Sequence, residues 1–218
     1  MQQQIPSEKE VLGYFDSCNN WGRWGPDDQL GTMNYITAEK RKQAAALVAQ
    51  GESVTCARPI RKEVAPDIPN PFLHMMTGTG ERWKDVEPRE GELQSSGDFI
   101  GLYYHGFSVT HLDALAHIFW QGKMYNGFSS DLVTASDGAT KESIELLADG
   151  VVSRGVLLDI PRARGVEWLE PGTPVFPEDL EAAEKACNVQ VQPGDVLFVR
   201  TGWYGRRLEM GPVNFDVR

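Results

Sequence analysis

Along the chain, stretches whose apolar positions recur every three or four residues alternate with short, nearly continuous apolar runs, and turn-forming residues punctuate both. Ser7-Glu8-Lys9-Glu10 has the form of a capping box, in which serine and glutamate answer each other's backbone donors, and it predicts a helix to about Cys18. Thr37 can cap a second helix, rich in Ala, Lys, Glu and Leu, running to about Gln50 with Gly51 as its stop. Glu52 to Arg58 has strand character. From Pro59 to about Gly80, Pro66, Pro69 and Pro71 argue against regular structure, and a loop that long is often a functional lid. Ser95 to Gly101 leads into a strand of aromatic and β-branched residues that continues to Asp113. Tyr125-Asn126-Gly127 has turn chemistry, and Lys141 to Asp149 predicts a short helix or helical turn ending at Gly150. Gly155-Val156-Leu157-Leu158-Asp159-Ile160 is apolar almost throughout, the pattern of a strand buried on both faces, and Val196 to Thr201 forms another. Between them Glu178 to Cys187 predicts a helix following Pro177. Strands alternating with helices predict an α/β fold: a single domain over residues 1–218, with a mixed, largely buried β-sheet flanked by helices.

Composition narrows the partners. A chain of 218 residues can bury a real core, and 24% charged with 41% hydrophobic residues argues against disorder. The formal charge of -10 and the absence of a Lys/Arg cluster, beyond the solvated helix face of Lys40-Arg41-Lys42, argue against nucleic acid or an anionic membrane. No apolar run reaches membrane-spanning length, and Met1-Gln2-Gln3-Gln4-Ile5-Pro6 lacks the charged and apolar regions of a signal peptide. Cys18, Cys56 and Cys187 are odd in number and widely spaced, which suggests reduced thiols in a cytoplasmic protein.

The candidate chemistry is concentrated between Tyr104 and His117. Three of the 4 histidines, His105, His111 and His117, fall here, with Asp113 between two of them. Imidazole and carboxylate are ligands that suit zinc, manganese and iron. In an extended chain His111 and Asp113 point to one face, about 6.6 Å apart along the strand, so both can reach one ion. A straight strand from 105 to 117 would separate its ends by about 40 Å. A shared site therefore requires a bend, at Gly106 or in Ala114-Leu115-Ala116.

This stretch resembles the signature of the metal-dependent hydrolase family named cyclase, which includes bacterial kynurenine formamidase and isatin hydrolase. The family's pattern is His-x-Gly-Thr-His-x-Asp-x-Pro-x-His. The chain matches it at Thr110, His111, Asp113 and His117 and departs at Phe107, Val109 and Leu115. The segments 21–34, 119–127 and 154–161, and Pro193-Gly194-Asp195 leading into Arg200-Thr201-Gly202-Trp203, resemble a longer-chain branch of the same family. The similarity covers about residues 20 to 204 and implies a swivelling β/β/α, cyclase-like domain. It implies His111 and Asp113 as metal ligands and His117 as a proton-transfer group or additional ligand. His105 is a candidate for the ligand missing at Phe107. The implied cofactor is a divalent metal, Zn or Mn, and the implied reaction is hydrolysis of a small cyclic or aryl amide, imide, ester or lactone. Phe119, Trp120, Trp24 and His74 are candidate substrate contacts, with core or subunit packing as the alternative for the aromatic residues. Family members continue past this chain's end with further His and Glu ligands, so the resemblance implies that the C-terminal part of the family domain is not included. It also implies a homo-oligomer. The rival reading is a non-catalytic metal- or ligand-binding relative.

Overall fold

A computed structural model describes residues 5–214; residues 1–4 of the start read above lie outside the described residues. The helices are α1 (Glu8–Ser17), α2 (Ala38–Ala45), α3 (Ile160–Arg164), α4 (Pro177–Cys187) and α5 (Trp203–Met210). The strands are β1 (Leu73–Gly78), β2 (Gly97–Gly101), β3 (Val133–Thr134), β4 (Gly138–Ala139), β5 (Gly155–Asp159) and β6 (Val196–Arg200), with short 3₁₀ turns between them. The α/β class is as expected, and the strands form three two-stranded ladders. The chain divides into two units, residues 1–53 with 113–206, and residues 54–112 with 207–218.

In the first unit β5 and β6 run parallel, with Gly155 opposite Val196 and Asp159 opposite Arg200. Parallel neighbours require a crossover, and α3 and α4 supply it. Asp159 caps α3 by accepting from the Arg162 N–H, and Gly165 at φ 68 closes the helix in the left-handed conformation. Arg164 grips Asp179 in the first turn of α4 through two bonds of 2.8 and 2.6 Å. The core beneath is Val156, Leu158, Ile160, Leu169 and Ala183. Burial on β5 alternates: Val156 and Leu158 are enclosed, while Leu157 between them is 53% exposed. The apolar run that suggested burial on both faces therefore buries one, because no further strand or helix covers the other among the described residues. On β6, Leu197, Phe198 and Val199 are likewise exposed.

Pro193-Gly194-Asp195 ties this unit together. Asp195 accepts from Lys40 Nζ on α2 at 2.6 Å, from Arg154 Nε and Nη2 at 3.0 and 2.5 Å, and from the Gln192 N–H at 2.7 Å. Gly194 has φ +80, and a Cβ there would lie 2.6 Å from the Tyr35 carbonyl oxygen, so only glycine fits without a backbone shift. This motif of the resembled family is structural in the chain.

In the second unit β1 and β2 form an antiparallel hairpin with Leu73 opposite Gly101 and a register shift between Met76 and Gly78. Arg207 is 5% exposed and clasps the fully enclosed Asp67 side chain at 2.5 and 3.1 Å, with Glu63 at 2.7 Å.

Elsewhere the structure modifies the expectations. The capping box forms as expected and α1 ends at Ser17. α2 stops at Ala45, short of Gln50; none of its residues is buried, so tertiary packing does not extend it. Glu52 to Arg58 is not a strand, having no ladder partner among the described residues. β1 arises within the Pro-rich stretch because the prolines end at Pro71 and the next residues pair with β2. Of the helix or helical turn expected over 141–149, the turn forms, as a 3₁₀ turn at Ile144–Leu147. No helix among the described residues is long and apolar enough to cross a membrane.

Candidate metal centre

β2 ends at Gly101, so the signature that follows is not a strand. The chain bends between 105 and 109, with Gly106 at φ 117, a conformation that favours glycine. It turns again in the 3₁₀ turn Leu115–His117. Both places anticipated for a bend therefore supply one. Arg58 anchors the loop: its backbone N–H donates to Thr110 Oγ1 at 2.9 Å and its guanidinium donates to the Phe107 carbonyl.

Within this continuous stretch His105, His111 and Asp113 come together, each offering a ligand atom within 4.8 Å of the others. Among the described residues this is the one group of three or more His, Cys, Asp or Glu side chains with such spacing. His111 Nδ1 lies 2.8 Å from the Val109 carbonyl oxygen. A carbonyl only accepts, so Nδ1 carries the hydrogen and Nε2 carries the lone pair, the arrangement common among metal-binding histidines. Tyr104 packs against both imidazoles, with centroids 4.4 Å from His105 and 5.7 Å from His111. Two imidazoles and a carboxylate fit zinc or manganese chemically. Tetrahedral ligand atoms on bonds of about 2.0–2.2 Å lie roughly 3.3–3.6 Å apart, so a grouping within 4.8 Å closes on one ion by contracting at most about 1.5 Å.

The remaining candidates lie outside that trio. His117 is exposed on its turn while its neighbour Ala116 is buried. Phe119 is half-exposed, and Trp120 stacks on Phe15 of α1 at 4.5 Å and 15°. Trp24 meets Tyr35 edge-on at 5.1 Å. His74 stands on β1, its Nε2 2.7 Å from Asp98 and its Nδ1 2.8 Å from Lys62 Nζ.

A polar cluster that the sequence reasoning missed lies in the first unit. Asp28 accepts from Asn34 Nδ2 at 2.7 Å, the Tyr125 hydroxyl at 2.9 Å, the Gly31 N–H at 3.0 Å and the Leu30 N–H at 3.4 Å. Burial pushes the Asp28 carboxyl up, but these donors, led by Asn34, outweigh it and hold it below the usual range. Burial and the bond to Asp28 push the Tyr125 phenol up to about 12. Asn126 at φ 56 fastens the same loop: its Nδ2 donates to the carbonyls of Gly25, Pro26 and Asp28, and its Oδ1 accepts from the Gly22 N–H at 2.7 Å. Glu142 is 1% exposed, and neither carboxyl oxygen has a hydrogen-bond partner among the described residues. Burial, then Asp28, pushes its carboxyl up to about 7. The dense Gly/Asp/Trp loop was a signal for Asp28, but Lys141-Glu142-Ser143 reads as solvated chain and carries none for Glu142.

The Cyclase family model matches residues 83–216. A crystal structure described as that of a novel cyclase is similar at 34% identity with a TM-score of 0.79, over 89% of this chain and 65% of its own. The chain thus spans just under two thirds of that relative's length. No curated protein matches it.

Proposed function

The chain belongs to the cyclase family, and from that premise we propose that it is a metal-dependent hydrolase of a small cyclic or aryl amide, imide, ester or lactone, akin to kynurenine formamidase and isatin hydrolase. The observation that carries the reading is the convergence of His105, His111 and Asp113. His111 offers Nε2, Asp113 a carboxylate oxygen, and His105 the donor absent at Phe107. A divalent Zn or Mn ion held there supplies Lewis-acid polarisation of a carbonyl and lowers the pKa of water. His117 carries a proton to the leaving nitrogen or oxygen, a task for which an imidazole suits neutral pH. Phe119, Trp120 and Trp24 offer aromatic faces to a cyclic substrate, and His74 a polar contact. The same reading gives a cytoplasmic homo-oligomer that acts on a small molecule and has neither nucleic acid nor membrane as partner.

A second reading, a metal- or ligand-binding relative without turnover, draws on Phe107 standing where the family pattern has histidine. Elemental analysis after incubation with Zn or Mn, with hydrolysis assays on N-formyl arylamines and lactones, separates the two. We expect about one equivalent of metal in the wild type, lost with activity in His111→Ala and Asp113→Ala. Metal without turnover across the panel favours the second reading. No metal in the wild type overturns both metal readings.

A further inference from the structure

Glu142 has no role in the chemistry above, yet its surroundings are specific. Its carboxyl is enclosed, without a hydrogen-bond donor to either oxygen among the described residues. An ionised carboxylate in that position would forfeit its hydration without replacement. Its neighbour Asp28 takes the donors available, four in number. One carboxyl of the pair is thus built to stay ionised and the other to stay protonated, the divergence that assigns separate roles to adjacent acids.

The main chain at Glu142 explains why the side chain stays inside. Its φ is 55, a sparsely populated conformation for a residue with a Cβ. The Glu142 N–H donates to Gln29 Oε1 at 3.0 Å, and its carbonyl accepts from the Ala116 N–H at 3.3 Å. Ala116 is buried within the turn that ends in His117, whose own N–H donates to the Ala114 carbonyl. The Glu142 backbone is therefore a strut under that turn.

We propose that Glu142 is a positioning residue that works as a neutral carboxylic acid: with its proton it lets the main chain hold the Ala116–His117 turn, and without it the side chain is driven outward and the turn is released. The raised carboxyl, at about 7, is consistent with this geometry. Asp28 acts on Glu142, and Glu142 in turn acts on Tyr125, which Arg23 also faces. Lys141, next in sequence, places its ammonium over the Phe128 ring at 5.5 Å. Because the folded carboxyl titrates above its unfolded value, its contribution to stability is fully present below that unfolded value, declines as pH rises, and is lost once pH has passed the folded value. The consequence for turnover rests on the hydrolase reading; the consequence for stability does not.

The test compares wild type with Glu142→Gln, an isosteric side chain that cannot ionise, in thermal melts from about pH 5 to about pH 8. The wild type should lose several degrees of Tm relative to the variant across that range. In isotope-edited infrared spectra the wild type should show a protonated carboxyl carbonyl band at the acid end that vanishes at the alkaline end and is missing in the variant. With a hydrolysed substrate, kcat of the wild type should fall on the alkaline side through a limb that Glu142→Gln flattens. Parallel melts, or the absence of that band, would overturn the proposal. If Glu142→Gln folds poorly, Glu142→Leu, which also cannot ionise, takes its place as the reference for both the melts and the band. A protein that hydrolyses nothing but shows the band and the diverging melts would retain this inference and lose the hydrolase.

Discussion

Asp195 and Glu142 lie in the same unit and are both buried carboxyl side chains, but one is surrounded by donors and the other has none among the described residues. Around Asp195 a guanidinium, an ammonium and a backbone N–H converge. The hydrogen bonds from Arg154 outweigh burial and, with Lys40, hold its carboxyl far below the usual range. Around Glu142 burial acts unopposed and the carboxyl rises. Burial alone thus does not decide whether an acid is charged; the donors folded against it do. Asp195 fastens three chain segments as an anion, whereas Glu142 sits beneath a turn as a neutral acid.

Breaking the first member of this pair should have the larger effect. Asp195→Ala leaves Lys40 and Arg154 without their shared anion and should cost about 3 kcal/mol in urea unfolding, the lower end for a broken buried pair because Arg154 remains partly solvated. The pH signs are opposite at the two sites. Asp195 contributes stability above its unfolded pKa and loses it as pH falls through its folded value, so the wild type should surrender its advantage over Asp195→Ala only in strong acid. Glu142 weakens the fold at the other end, from mildly acidic to neutral pH. A smaller effect sharpens the contrast: Tyr125→Phe removes one of the donors that keep Asp28 ionised and should cost about 1 kcal/mol by the same unfolding measurement.

What could be read from the sequence follows how local each determinant is. The capping box of α1, the Pro177 start of α4 and the positions of β5 and β6 depend on neighbouring residues, and they stand where the pattern places them. The burial of β5 and β6 depends on what covers a sheet face, which an apolar run does not state. α5 went unread because Trp203-Tyr204-Gly205-Arg206-Arg207 has no cap signal, and Arg207 is held by Asp67, 140 positions away. At the candidate site the spacing of His111 and Asp113 could be read from the sequence, and of the two places offered for a bend, Gly106 bends while Ala114-Leu115-Ala116 leads into the 115–117 turn. Their extended strand does not form, because the ladder partner of this stretch ends opposite Leu73. The inclusion of His105 needed the turn at Gly106, whose angle the sequence permits without specifying.

Asn126 also bears on how the protein ages. Asn-Gly dipeptides are prone to deamidation, in which the following backbone nitrogen attacks the side-chain amide to close a succinimide. In this fold the Asn126 amide is occupied at both its nitrogen and its oxygen, and the Gly127 N–H donates to the Met124 carbonyl at 3.2 Å. Both reacting partners are restrained, so the ring closes only in molecules whose 22–28 loop has opened. Isoaspartate accumulating at position 126 during storage would act as a chemical clock, recording the time that loop has spent apart.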